Sequence, residues 1–276
     1  MVSKSKLPQF VLFGDSLTQW AFSETTAGFG WVLEEKYAGV ADIVNQVSYT
    51  STMLERSFKR IIQRATEPDA PPTLLLTIFL GANDACIMPQ GEYVPLPRFE
   101  ANIREFVETV LIQDNMPDTK IILITPPPIN IPSPAEEEEA NDSMELGPAA
   151  AAAMAAARAD TKEKPRYKTY MSKRKYADRI MEIAKSYEDT GRVVGLNYWK
   201  ALVDAGLNDQ NRLGNEDAYD EDRLPGCGLK GAKQFKNGYF TDGLHLAPLG
   251  YDVLSKELLD LMLSRWPELA PERISS

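Results

Sequence analysis

Histidine occurs once in this chain and cysteine twice, and no apolar run approaches the length of a bilayer span. Each scarcity closes off a class of protein. A single histidine, His245, with Cys86 and Cys227 far apart, makes no metal-ligand pattern, so neither a metal centre nor a bound cofactor is expected. The two cysteines read as free thiols of a reducing compartment. Met1–Pro8 runs straight into a short strand without the apolar stretch of a signal peptide, and no segment is long enough to span a bilayer. Arg273-Ile274-Ser275-Ser276 carries no peroxisomal or retention signal. These absences together predict a cytoplasmic protein. Positive charge is also in deficit, with 30 Lys and Arg against 40 Asp and Glu and a net charge of −10. That disfavours a nucleic-acid partner, which needs clustered basic side chains, and favours neutral or cationic small molecules. No Gly-x-x-x-x-Gly-Lys-Ser/Thr loop occurs, which argues against nucleotide binding. Assembly with like chains is left open.

What is present is the material of a sizeable core: 276 residues, 43% apolar and 9% aromatic. Five short apolar runs predict buried strands at Gln9–Phe13, Asp42–Val47, Thr73–Leu80, Thr119–Thr125 and Arg192–Leu196. Helical spacing of three and four predicts helices at Gly30–Tyr37, Thr52–Thr66, Phe99–Gln113, Tyr170–Tyr187 and Pro248–Trp266. Strands alternating with helices predict one α/β domain over 1–276, a parallel sheet covered on both faces. One stretch, about 132–165, breaks the pattern. It holds Glu136-Glu137-Glu138-Glu139 and an alanine-rich run with high helix propensity at Ala149–Arg158, and it reads as a polar insertion, either solvated or folded over the site as a flap. Asn208–Arg223, rich in acidic residues, misses the spacing of a calcium loop and reads as a solvated loop.

Three places carry chemistry. Ser16 follows the first strand in Gly14-Asp15-Ser16-Leu17-Thr18, where a sharp exit into a helix would lift its hydroxyl off the sheet and present backbone N–H groups to an oxyanion. The bland alternative is a helix cap at Asp15 or Ser16. Leu80-Gly81-Ala82-Asn83-Asp84 ends the third strand and would deliver an amide donor to the same crevice, unless it is an Asx turn that merely stops the strand. Asp242 and His245, three apart before the last helix, can supply a general base and the carboxylate that orients it. A lone histidine in a loop is more often structural than catalytic. The conjunction of the three favours a serine hydrolase.

Phe13-Gly14-Asp15-Ser16-Leu17-Thr18-Gln19, Gly81-Ala82-Asn83-Asp84 and Asp242-Gly243-Leu244-His245 resemble the first, third and fifth sequence blocks of the GDSL (SGNH) hydrolases. Asp242–Leu246 and the Thr-Pro-Pro-Pro run Thr125–Pro128 resemble the isoamyl-acetate-hydrolysing esterase branch in particular. The resemblance covers most of the chain outside 132–165. It implies a flavodoxin-like three-layer α/β/α sandwich, a five-stranded parallel sheet of order 2-1-3-4-5, and metal-free ester hydrolysis through an acyl-enzyme. It also implies Ser16 as nucleophile and oxyanion donor, Asn83 as side-chain donor, His245 as base and Asp242 as its orienter. The second block departs from the family. Where the family has a glycine within Ser-Gly-x-x-Thr, aligning Ser48 and Thr52 here puts Tyr49. Tyr49 would still offer its backbone N–H as a further oxyanion donor unless the site needs positive φ, which a tyrosine tolerates poorly, and its ring would intrude on the pocket, so a weakened or reshaped oxyanion hole and a different selectivity are expected there.

The expected activity is hydrolysis of small, neutral, short-acyl esters. An acyltransferase, a thioesterase or a sugar deacetylase would use the same residues, and a non-catalytic flavodoxin-like binding protein is the alternative from another class. Trp20 and Ile87, with Phe22 and Tyr93, are candidates for the substrate pocket, though aromatics after strand ends are more often core. Cys86, close to Asn83, is a second potential nucleophile, but no second histidine exists to activate it, so packing beneath the crevice is favoured.

Overall fold

The alternation of strand and helix produces five parallel strands in the order β2-β1-β3-β4-β5. A computed structural model describes residues 6–47, 49–87, 92–132, 162 and 164–274 of the chain. The strands are β1 Gln9–Gly14, β2 Asp42–Val47, β3 Thr73–Phe79, β4 Lys120–Ile124 and β5 Val193–Leu196. Their carboxyl ends are in register: Gly14 pairs with Val47 and Phe79, Phe79 with Ile124, and Ile124 with Leu196. The segments that follow these ends therefore meet along one edge, with the order reversing at β1, where an open parallel sheet forms its crevice.

Both faces of the sheet are covered. Phe10, Leu12, Leu75, Phe79, Ile122 and Ile124 pack with α2 (Phe29–Lys36), α6 (Tyr198–Asp209) and α7 (Pro248–Arg265). The alternate residues, including Val11, Phe13, Leu76, Ile78, Ile121 and Leu123, pack with α3 (Ser51–Ala65), α4 (Leu96–Leu111) and α5 (Pro165–Ser186). This two-sided burial is why the strands read as continuous apolar runs. Phe58 and Phe106, 4.6 Å apart, and Phe13, 5.5 Å from Phe106, anchor the second layer.

Three expectations are corrected. Tyr198–Asp209, absent from the sequence reading, is a helix capped by Asn197, whose Oδ1 accepts from Lys200 N–H at 3.0 Å. Its Asp, Asn and Gly206 weaken local propensity, but Gly206 is needed, because a Cβ there would come within 2.6 Å of the Phe235 ring. Asn208–Arg223 is accordingly not all solvated loop. Its first two residues end that helix, and Ala218 is buried in a third apolar cluster with Trp199, Leu207, Leu224 and Cys227. Helix α5 starts at Pro165 rather than Tyr170, since proline suits a first turn whose N–H has no helical partner. Of the polar insertion expected at 132–165, including a helix over Ala149–Arg158, all but Pro132, Lys162, Lys164 and Pro165 lies outside the described residues. Among the described residues, no helix is long and apolar enough to cross a membrane.

Candidate active site

Gly14 ends β1 because nothing larger fits: a Cβ would fall 2.0 Å from Thr18 Oγ1 and 2.7 Å from the Phe79 carbonyl oxygen. The chain then turns into a one-turn helix, α1 (Ser16–Gln19). Asp15 is its cap, buried at 1% exposure and accepting from Leu17 N–H at 2.9 Å. Thus the bland reading of Asp15 as a cap holds alongside whatever Ser16 does. Tyr251 of α7 ties the turn down by donating its hydroxyl to the Leu17 carbonyl at 2.7 Å.

His245 arrives from the other end of the chain. Ser16 Oγ and His245 Nε2 lie 3.2 Å apart, and His245 Nδ1 lies 2.7 Å from Asp242 Oδ2. If the Nδ1–H donates to the carboxylate, Nε2 is left as an acceptor for the serine hydroxyl. Asp242 Oδ1 also accepts the backbone N–H groups of Leu244 at 2.9 Å and His245 at 2.8 Å. Burial works to raise the Asp242 carboxyl, but the bonds from His245 and Leu244 outweigh it and hold the group at about 2. The turn needs Gly243, at φ +83, because a Cβ would meet the Asn130 carbonyl oxygen at 2.6 Å, and Asn130 N–H donates to the Gly243 carbonyl at 2.7 Å. The Thr-Pro-Pro-Pro segment after β4 thus leads directly into the brace of the histidine turn.

Asn83 enters from β3 through Gly81, whose φ of +107 turns the chain. It is 7% exposed, and its side-chain amide donates to the Tyr49 carbonyl at 2.7 Å, leaving one N–H for another acceptor. The Tyr49 ring is 43% exposed, with its hydroxyl hydrogen-bonded to Glu92, and it lines a groove of about 500 Å³ with Met53, Tyr93, Val94 and Arg98. Ser48 lies outside the described residues. Next to Asn83, Asp84 Oδ1 accepts both the N–H (3.0 Å) and the hydroxyl (2.5 Å) of Ser51, whose oxygen also accepts from Asn102 Nδ2 at 2.9 Å. This polar knot, locking the loop after β2 to the loop after β3, was not foreseen; its signal was the cluster of buried polar residues around an Asn-Asp turn.

The other candidates separate. Trp20 stacks on the His245 ring, with centroids 3.9 Å apart and planes at 29°, while remaining 38% exposed. Phe22 packs on the core beneath Gly30. Ile87 is exposed at 40%, its N–H held by Thr169 Oγ1 at 3.1 Å. Tyr93 lines the groove beside Tyr49. Neither Cys86 nor Cys227 forms a disulfide, and burial pushes the Cys86 thiol up, which keeps its reactive thiolate scarce.

Serine, imidazole and carboxylate thus stand in line at the carboxyl edge of a five-stranded parallel sheet. The sequence model of the GDSL-like lipase/acylhydrolase family matches residues 10–258, and the chain belongs to that family. Among curated proteins it is 27% identical over 272 residues to the isoamyl acetate-hydrolyzing esterase 1 homolog of Rattus norvegicus, covering 96% of this chain and 86% of that one. It is 28% identical over 274 residues to the isoamyl acetate-hydrolyzing esterase of Saccharomyces cerevisiae, covering 96% and 90%. Among solved structures, a catalytic mutant of an acetylxylan esterase from Geobacillus stearothermophilus aligns with a TM-score of 0.53 at 15% identity, covering 94% of this chain and 95% of that one. The M. smegmatis aryl esterase aligns with 0.52 at 15%, covering 93% and 99%. At those identities the structures attest the fold alone.

Proposed function

We propose that this hydrolase cleaves small, short-acyl carboxylic esters of the acetate type through an acyl-enzyme on Ser16. The observation that carries the reading is the chain of contacts Ser16 Oγ–His245 Nε2–Asp242, 3.2 Å and 2.7 Å. His245 Nε2 takes the hydroxyl proton as Ser16 Oγ bonds to the ester carbonyl carbon. The resulting imidazolium returns that proton to the leaving alcohol oxygen as the C–O bond breaks. Water then attacks the acyl-enzyme, giving its proton to Nε2, and the carboxylic acid departs with the Ser16 proton restored. Asp242 holds the ring and offsets its transient charge. The negative oxygen of each tetrahedral intermediate is held by the Ser16 backbone N–H and the second amide N–H of Asn83. Tyr49 serves through its carbonyl, which fixes the Asn83 amide.

The named relatives support an acetate-type substrate. Two cysteines that form no disulfide support a reducing, cytoplasmic setting. The test is a chain-length series of p-nitrophenyl esters, acetate through decanoate, on wild type and Ser16→Ala. Rates that peak at short acyl chains and vanish in the variant are expected. Activity surviving in Ser16→Ala would reassign the nucleophile, and an optimum at long chains would reassign the substrate.

A further inference from the structure

Two hydrogen bonds hold the His245 ring at its nitrogens, and an indole covers its face. Asp242 meets Nδ1 at 2.7 Å and Ser16 meets Nε2 at 3.2 Å, both along directions that lie in the ring plane. Trp20 lies across that plane, with centroids 3.9 Å apart and rings tilted by only 29°. The indole is 38% exposed, yet the backbone that carries it is fixed. The Trp20 carbonyl accepts from Thr26 Oγ1 at 2.6 Å and from Ser23 N–H at 3.2 Å. Ala21 is wholly buried against Gly28, where a Cβ would fall 2.4 Å from the Ala21 Cα, and Phe22 packs on Gly30 and the core. With both following residues turned inward, the turn holds the largest of the three side chains outward. An indole left partly in water forgoes some of the stabilisation of full burial, and what the turn secures instead is its contact with the imidazole.

We infer that Trp20 is a positioning residue for the base: its π face holds the imidazole in line between Asp242 and Ser16 and stabilises the imidazolium that forms when Nε2 takes the serine proton. This rests on Ser16 and His245 being the nucleophile and base proposed above. The face of an indole carries negative charge density, so it attracts a cation lying over it within about 6 Å more strongly than it attracts a neutral ring. His245 must accept a proton, so it is neutral when substrate arrives and cationic as each tetrahedral intermediate forms. The contact therefore strengthens on the way to the transition state, in acylation and deacylation alike, and acts on kcat rather than on substrate binding. Asp242 supplies charge at one edge of the ring, and Trp20 supplies it over the face, where no hydrogen bond can form. The indole also opposes the tilt of the imidazole that two contacts at its nitrogens leave free. A phenyl ring at this position would keep both functions in part, and an aliphatic side chain would keep neither the charge density nor the flat support.

The test separates charge from shape on the full chain. Wild type, Trp20→Phe and Trp20→Leu are compared with wild-type chains grown on mono-, di- and trifluorinated tryptophan, which draw charge density off the π face while nearly preserving its size. Trp31, Trp199 and Trp266 are fluorinated too, so Trp20→Phe grown on the same analogues is the control. Each protein is assayed on p-nitrophenyl acetate for kcat and KM, and its serine is labelled with a fluorophosphonate. Trp20→Leu is expected to lose about three- to tenfold in kcat with KM within about twofold of wild type, and Trp20→Phe to stay within about threefold. Successive fluorination should lower kcat stepwise, by about threefold or more over the series, and should leave the Trp20→Phe chain unchanged. A fluorinated series with constant kcat overturns the inference, since the indole then acts only as a wall. A loss that falls on KM alone also overturns it, by making Trp20 a substrate contact. Should Trp20→Leu fail to fold, the fluorinated series, which keeps the indole in place, gives the decision. A wild type that is labelled but hydrolyses no ester contradicts the esterase reading alone, and the same comparisons are then made on labelling rates. A wild type neither labelled nor active removes the base and the inference together.

Discussion

Two carboxylates, Asp15 and Asp242, border the Ser16–His245 pair, and the fold treats them in opposite ways. Asp242 is half exposed and accepts three hydrogen bonds, from the His245 ring and from two backbone N–H groups, and it titrates at about 2. Asp15 is buried, accepts one backbone N–H and keeps an unpartnered oxygen, and it titrates at about 7. Water access and the number of donors, not the presence of a nearby cation, separate them. The carboxylate on the open side is fixed as an anion for the base, while the one behind the serine stays sensitive to its surroundings.

The largest break in this arrangement is loss of the groups that exchange the proton. Ser16→Ala and His245→Ala should each lower kcat/KM by about 10³-fold or more, with no base available to replace His245. Asn83→Ala should cost about 10²–10³-fold, mostly in kcat, because its free amide N–H meets charge that develops only in the transition state. Asp242→Asn should cost about 10²-fold or more, while leaving the turn folded, since an amide oxygen can still accept from Leu244 and His245. Steady-state kinetics on the preferred short-chain ester check all four.

A smaller effect sharpens the contrast through stability. A folded pKa of about 7 for Asp15 means the native state holds a proton that the unfolded chain has released, so this group lowers stability as pH rises from about 4 to about 7. Asp15→Asn should therefore flatten that decline by roughly 2–4 kcal/mol, read from urea midpoints at the two pH values. Asp242 acts with the opposite sign: its contribution is present above the ordinary carboxylate range and is lost as pH falls toward about 2, and solvent screening keeps it small. The smallest effect is expected at Trp20. Trp20→Ala should cost about three- to tenfold in kcat/KM by freeing one face of the imidazole, with Trp20→Phe restoring most of it.

The sheet was largely legible because its strands are buried on both faces and so stand out as apolar runs. The observed strands lie within about one residue of the expected ends, and the order 2-1-3-4-5 agrees with what the family resemblance implied. Helix α6 was not legible, since Asp204, Gly206 and Asn208 hide a segment held by Phe235 and by the third apolar cluster. In the site, the segments bearing Ser16, Asn83 and His245 could be read from their places at strand ends. What their neighbours do could not. Lys173-Arg174-Lys175 looks like a solvated basic run, yet its first residue is wholly buried. Trp20 was a candidate pocket wall, and only the fold of distant segments lays it on His245.

The most direct test of the central claim, that Ser16 activated by His245 attacks the ester, is to trap the enzyme with a fluorophosphonate and locate the adduct by peptide mass spectrometry. The account predicts one stoichiometric adduct on Ser16, absent in Ser16→Ala and formed about 10³-fold more slowly in His245→Ala. An adduct on another residue such as Cys86, or labelling of Ser16 at the same rate without His245, would contradict it.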